Sequence, residues 1–309
     1  MRLVAIVGPT AAGKTRLAIE LARVLDGEIV NADSRQVYRH MDIGTAKPDA
    51  AERAAVLHHL LDVVDPDEAF SLAIYRQKAL EAISSIAGRG KVPFLVGGTG
   101  QYVWAILEGW TVPPVAPNTD LRRALEAEAA KGGHMALHRR LVQEDPVAAG
   151  TIDPRNVRRV VRALEVTRST GVPFSSLRQK NRPFFDTLII GLTMPRPDLY
   201  SKIDQRVDSM LCRGLVDEVR CLHAMGYCFD LAPMTGIGYK EISSYLAGEI
   251  DLESATEKMK FRTHHLARRQ YAWFGMDDAR IHWLMSDENA VEKAVALVQE
   301  YLGENNGLR

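Results

Sequence analysis

Two stretches of the chain carry residue types that do chemistry. Residues 8–15 read GPTAAGKT, a G-x-x-x-x-G-K-T spacing. Such a turn, here Gly8, Pro9, Thr10, Ala11, Ala12 and Gly13, points backbone N–H groups at an anion between a strand and a helix. Lys14 adds a mobile positive charge, and the Thr15 hydroxyl suits Mg²⁺. The spacing implies phosphate binding and leaves the phosphate open: a nucleotide such as ATP, or another diphosphate. Residues 31–36 read NADSRQ. Asp33 there follows a strand end, where it either takes a proton from a substrate or serves as an N-cap or turn aspartate. Thr99, in GGTG (97–100), reads on its own as a turn residue satisfying its own backbone. HHLLDVVD (58–65) offers Asp62 as a Mg²⁺-directing carboxylate, on a short run broken by histidine. His58 and His59 have no third ligand at suitable spacing, and the adjacent His264 and His265 cannot share one helix face, so no metal centre is expected from them.

The elements that must position these groups follow from periodicity. Residues 3–7 (LVAIV), 28–31 (EIVN), 92–96 (VPFLV) and 187–192 (TLIIGL) read as short buried strands. Leu17, Leu21, Val24 and Leu25 recur at helical spacing, and residues 73–86 carry another helical stripe. This alternation predicts an α/β fold, a P-loop NTPase-like parallel sheet core with helices on both faces. Composition changes at TVPPVAPNTD (111–120), which is too rich in proline for a helix or central strand. Helical patterns then run to about residue 177. The expected organisation is a core over 1–111, an all-helical insertion over 112–184, and a return to the core over 185–309. In that last part, 199–226 and 252–274 read as helical, and 303–309 as a frayed tail.

Charge and composition narrow the classes. The 309 residues carry 39 Lys plus Arg and 39 Asp plus Glu, so any nucleic-acid site must come from local asymmetry. The three cysteines form no Cys-x-x-Cys pair and read as reduced thiols of a cytoplasmic protein. The first residues run straight into the phosphate loop, so no cleaved leader is expected. No stretch of about 18 apolar residues exists to span a membrane.

An ordered series of motifs resembles one family, the tRNA dimethylallyltransferases. The series is GPTAAGKT, DSRQVYRHMDIGTAKP (33–48), HHLLDVVDPDEAFS (58–71), VGGTGQYV (96–103), RRVVRALEV (158–166), GLVDEV (214–219) and TGIGYKE (235–241). The resemblance spans nearly the whole chain. It implies transfer of a dimethylallyl group from dimethylallyl diphosphate to the N6 amine of adenosine 37, beside the anticodon of tRNAs reading codons that begin with U. It further implies a diphosphate held by residues 8–15 with Mg²⁺ at Thr15, Asp33 as general base, and Thr99 near the target adenosine. Ser34, Arg35 and Gln36 contact tRNA in this reading. Lys240 is a candidate for phosphate or tRNA, and Arg122 for tRNA. A monomer is the family expectation.

The basic surfaces fit a tRNA anticodon stem-loop. Eight Lys or Arg and one acid, Glu165, lie between Arg155 and Arg182. Arg155, Arg158, Arg159 and Arg162 fall at helical spacing, opposite Val157, Val160, Val161 and Leu164. That pattern is a solvated helix face or, with the resemblance, a stem contact. A second cluster, KMKFRTHHLARRQYAWF (258–274), interleaves Arg262, Arg268 and Arg269 with aromatics expected in the core. The Pro-rich entry at 111–117 and the exit at 171–173 read as hinges that swing the insertion onto tRNA. Two other classes compete: a P-loop small-molecule kinase, and an RNA-binding protein without activity.

Overall fold

The computed structural model describes residues 1–111, 115, 118–177 and 184–303. In chain order the elements are β1 (Arg2–Val7), α1 (Lys14–Val24), β2 (Gly27–Asn31), α2 (Ala50–Ala55), β3 (His58–His59), α3 (Leu72–Gly88), β4 (Val92–Val96) and α4 (Gly100–Leu107). Five helices follow: α5 (Thr119–Gly132), α6 (His134–Glu144), α7 (Pro146–Thr151), α8 (Val157–Thr170) and α9 (Phe174–Leu177). The chain continues with β5 (Asp186–Thr193), α10 (Arg196–Cys212), α11 (Leu215–Ala224), α12 (Tyr239–Leu246), α13 (Leu252–Trp273), β6 (Ile281–Met285) and α14 (Ala290–Gly303). It forms two compact units, Met1–Leu107 with Pro183–Arg309, and Glu108–Arg182.

The first unit is an α/β fold. Its six strands are all parallel, in the order β3-β2-β4-β1-β5-β6. The apolar run LVAIV becomes the central strand because neighbours cover both edges: Val4 lies opposite Phe94 on β4 and Leu188 on β5. Alternation along the strands sends Val4, Ile6, Phe94, Val96, Ile190 and Leu192 into one core with Leu17 and Leu21 of α1 and Ala294 and Val298 of α14. α1 carries the chain from β1 outward to β2, and α3 carries it from β3 back to β4. The right-handedness of such crossovers places these two helices on opposite faces.

The structure adds an edge strand the sequence reading passed over. IHWLM (281–285) pairs with β5, but its His and Trp hide the strand signal. In HHLLDVVD His58–His59 pairs with β2 at the far edge, and Val64 makes an isolated parallel bridge with Tyr38. A separate core joins Val207 and Met210 of α10, Leu215 and Val219 of α11, Ile242 of α12 and Met259 of α13 to Val37 and Met41 beyond β2.

The second unit is all-helical, packed around Leu125, Leu137, Leu141, Val160, Val161 and Leu164. Asn118, Asp145 and Asn156 cap α5, α7 and α8 with their side chains. The fully buried Glu165 is its electrostatic hub. It accepts hydrogen bonds from the Asn118 N–H (2.7 Å), from Arg122 Nε and Nη2 (both 2.9 Å) and from Arg162 Nη1 (2.6 Å). Burial alone would raise this carboxyl, but the two guanidiniums hold it below the usual range. Arg162 also donates to the Val115 carbonyl (3.0 Å).

The row of arginines read along this helix is therefore split. Arg155 precedes α8 and pairs with Asp153 at 2.8 Å, Arg162 turns inward, and Arg158 and Arg159 stay exposed. Most of the entry hinge (112–114 and 116–117), the basic residues Arg178, Lys180 and Arg182, and tail residues 304–309 lie outside the described residues.

Replacing Glu165 with Ala strands two guanidiniums that are about one third exposed. The loss of stability should be about 2 kcal/mol, less than the roughly 3–5 kcal/mol of a fully buried broken pair because solvent screens both cations. Urea unfolding checks it. Glu165→Gln, which keeps an acceptor, should lose less.

Candidate active site

The chain leaves β1 toward β2 and leaves β4 toward β5, so its crossovers diverge between β1 and β4. In open α/β sheets ligands bind beyond the carboxyl ends of the strands at this switch point. Three loops meet there: residues 8–13 after β1, 32–36 after β2 and 97–99 after β4.

The first loop runs tightly against β5. Gly8 has φ +132°, and a Cβ there would sit 2.4 Å from the Leu192 carbonyl oxygen, so only glycine fits. Gly13 caps α1 in the left-handed region without a side-chain bond, which leaves the first-turn N–H groups free to face an anion. Lys14 folds back over the loop and donates from Nζ to the Pro9 carbonyl at 2.7 Å. Thr15 stands beside it in the first turn of α1.

The other two loops are tied together. Asn31, buried at the end of β2, accepts from the Asp33 N–H (3.0 Å) and donates to the Asp33 and Leu60 carbonyls (both 3.1 Å). Asp33 Oδ1 accepts from the Arg35 N–H at 2.8 Å, which is the turn role. Its Oδ2 accepts no hydrogen bond among the described residues. The Thr99 hydroxyl serves Ser34 rather than its own backbone: it accepts from the Ser34 N–H (3.0 Å) and donates to the Ser34 hydroxyl (3.3 Å).

Two residues that the sequence reading missed complete the crevice. Arg206 on α10 donates from Nη1 to the Thr10 hydroxyl (3.3 Å). Gln270 on α13 is buried, accepts from the Thr10 N–H (2.7 Å) and donates to the Gly98 carbonyl (3.1 Å). Both were signalled as polar side chains within buried stripes, Ile203–Arg206–Val207–Met210 and Met259–Ala267–Gln270–Phe274.

The charges oppose one another. Burial, helped by the like charge of Arg206, pushes the Lys14 ammonium down to about 8, and the Asp33 carboxylate pulls it back up. The Arg206 guanidinium is lowered by burial and again supported by Asp33. Asp33 thus lies within electrostatic reach of both cations.

The strap beyond Asp33 is pinned from below. Glu218 on α11 accepts from the N–H groups of Asp42 (2.9 Å), Ile43 (2.7 Å) and Gly44 (3.1 Å) and from the Tyr239 hydroxyl (2.7 Å). Gln36 donates to the Thr45 and Ala46 carbonyls (both 3.1 Å), and Arg35 to the Ala232 carbonyl (3.0 Å). Asp62 is committed to buried Lys47 (2.6 Å) and to Arg53 (2.6 Å). Burial would raise its carboxyl, but these two cations hold it down, so it is no open metal-directing carboxylate.

Other candidates make none of this cluster's hydrogen bonds among the described residues. Lys240 is exposed in the first turn of α12, between buried Tyr239 and Glu241. Arg122, Arg158, Arg159 and Arg162 belong to the helical unit. His59 hydrogen-bonds Glu28 (2.7 Å) and His264 stacks on Tyr200, and no group of three metal-ligating side chains occurs among the described residues. In the 258–274 cluster, Phe274 is core as expected, whereas Phe261 is 63% exposed and Trp273 41% exposed. That helix turns two aromatics outward, and Arg268 and Arg269 are exposed as well.

A parallel sheet with a phosphate loop, a facing carboxylate and two opposed cations defines a P-loop fold that handles an anionic substrate. Comparison with known proteins narrows the class. The IPP transferase family model matches residues 36–277 and the isopentenyl transferase model residues 1–62, so the chain belongs to the IPP transferase family. A tRNA dimethylallyltransferase of Roseiflexus sp. is 57% identical over 88% of this chain and 89% of its own length. One from Dehalococcoides mccartyi is 46% identical over 98% and 93%. Among solved structures, the full-length tRNA isopentenylpyrophosphate transferase of Bacillus halodurans superposes with a TM-score of 0.71 at 42% identity, covering 98% of this chain and 95% of that one. A eukaryotic dimethylallyltransferase, described as acting on tRNA, gives 0.83 at 30% identity over 98% and 79%.

The Lys14 value sets a pH dependence. A bound diphosphate favours the charged ammonium, so binding takes up a proton wherever the free group has lost one. Affinity for dimethylallyl diphosphate, measured by calorimetry without divalent cations, should hold steady from pH about 7, above the ligand's own last ionisation at about 6, to about 8 and weaken above it. Lys14→Gln should bind weakly and lack this step.

Proposed function

We propose that the protein transfers the dimethylallyl group of dimethylallyl diphosphate to the N6 amine of adenosine 37 in tRNAs that read codons beginning with U. One observation carries the reading: Asp33, with an unclaimed oxygen, lies within reach of Lys14 at the phosphate loop and of Arg206 from α10 in a single crevice. An anion site and a general base are brought together as an allylic transfer to an amine requires.

In the reaction a bond forms between N6 and the terminal allylic carbon, and the bond from that carbon to the diphosphate oxygen breaks. The first-turn N–H groups of α1, Lys14 and Arg206 stabilise the leaving diphosphate where its charge develops. The Thr15 hydroxyl would hold Mg²⁺, which when bound would supply further neutralisation of the diphosphate. Asp33 Oδ2 takes the amine proton as the new bond makes the nitrogen acidic. Thr99 holds Ser34, and through it the loop that carries Asp33, beside the base.

An adenine stacked in an anticodon loop cannot reach this crevice, so it must leave the stack, at a cost of a few kcal/mol recovered through backbone contacts. Ser34, Arg35 and Gln36 line the strap next to Asp33, and exposed Arg158 and Arg159 suit the phosphates of the anticodon stem. Among the described residues no helix is long and apolar enough to cross a membrane. A monomer working in the cytoplasm is the form proposed.

The test is mass spectrometry of nucleosides from unmodified tRNA incubated with protein, Mg²⁺ and dimethylallyl diphosphate. Adenosine should gain one C5H8 unit. Asp33→Ala should slow this by about 10²–10⁴-fold, the usual worth of a general base, while tRNA binding persists. ATP turnover on a small acceptor, with no C5H8 gain, would replace this reading with a kinase.

A further inference from the structure

Gln270 spans the two loops that the proposed reaction must bring together. Its Oε1 holds the N–H of Thr10 in the phosphate loop at 2.7 Å, and its Nε2 holds the carbonyl of Gly98 in the loop that carries Thr99 at 3.1 Å. The side chain is almost fully buried, and a Cβ on Gly98 would lie 2.1 Å from Nε2, so the glycine at 98 leaves the amide the room it occupies between the loops. The Thr10 N–H is thereby spent on Gln270. A simple core position would take an apolar side chain, as its stripe neighbours Met259, Ala267 and Phe274 do.

We infer that Gln270 is a positioning residue that fixes the separation between bound donor and acceptor. The inference rests on the proposed prenyl transfer. One loop carries the diphosphate. The other, through the Thr99–Ser34 link, carries Asp33 and the acceptor side. A single amide with one acceptor and one donor sets the distance between them. Reacting atoms must come within about 3–3.5 Å, and a misplacement of about 1 Å costs on the order of 10²-fold in rate.

The amide needs both ends. In Gln270→Glu, one carboxylate oxygen still accepts from Thr10, but the other faces the Gly98 carbonyl and repels it. Protonation restores the donor. Burial and that carbonyl both raise the pKa of the introduced carboxyl, so the neutral form returns as pH falls.

The experiment is steady-state C5H8 transfer to tRNA by the wild type, Gln270→Ala and Gln270→Glu, with melting temperatures beside it. Gln270→Ala should lower kcat by about 10–100-fold while KM for donor and for tRNA moves less than about threefold. The ratio of Gln270→Glu activity to wild-type activity should rise as pH falls from about 8 to about 6, which a lost packing contact does not produce. Folded variants with wild-type kcat, or a Gln270→Glu ratio flat with pH, would overturn the inference. If Gln270→Ala does not fold, the pH ratio decides alone. A wild type that transfers no C5H8 unit instead refutes the prenyl-transfer reading, and the inference falls with it.

Discussion

Everything at the crevice depends on how closely three strand ends approach. Parallel strands sit side by side, so the loops after β1, β2 and β4 emerge at one edge although up to some ninety residues separate them. At Gly8 this approach leaves no room for a Cβ against the Leu192 carbonyl. The loop then has one path open to it, and that path ends with the uncapped first turn of α1 facing the crevice. The proposed anion site is thus a consequence of backbone packing before any charged side chain is added.

Polar side chains then divide into those that hold and those that are held in reserve. Glu218, Asp62, Lys47 and Gln36 spend their polar atoms on the strap between Asp33 and the edge strand. Glu165 does the same in the helical unit. Asp33 is different: one oxygen is fixed by the Arg35 N–H and the other is left open. Lys14 and Arg206 are different too, because burial works against their charge and only Asp33 works for it. A site of this kind binds an anion strongly because its cations gain a partner on binding.

Much of this was legible in the sequence, and the limits have physical causes. LVAIV and VPFLV read as strands because strands covered on both faces are continuously apolar. β6 did not, since an edge strand admits His282 and Trp283. The loop GPTAAGKT was readable because its chemistry is local. Arg206 and Gln270 were not, because their partner Thr10 lies 196 and 260 residues away. Periodicity puts a side chain on a helix face but does not name its partner. Arg162 shared a spacing with Arg158 and Arg159, and turned inward because Glu165 was there to receive it.

Contacts of the same kind tie the ordered series of motifs together along the chain. GLVDEV supplies Glu218, GYKE supplies Tyr239, and both converge on the DIG turn of DIGTAKP. TGIGYKE also supplies Glu241, which takes the Gly238 N–H (2.8 Å) and pairs with Arg262 of α13. That helix carries Gln270 two turns further on, and Gln270 reaches both GPTAAGKT and GGTG. Motifs scattered over more than two hundred residues are therefore the fastenings of one polar framework, each holding the next. The framework closes on Asp33 and the phosphate loop, where a carboxylate oxygen and a row of N–H groups are left for something other than the protein to satisfy.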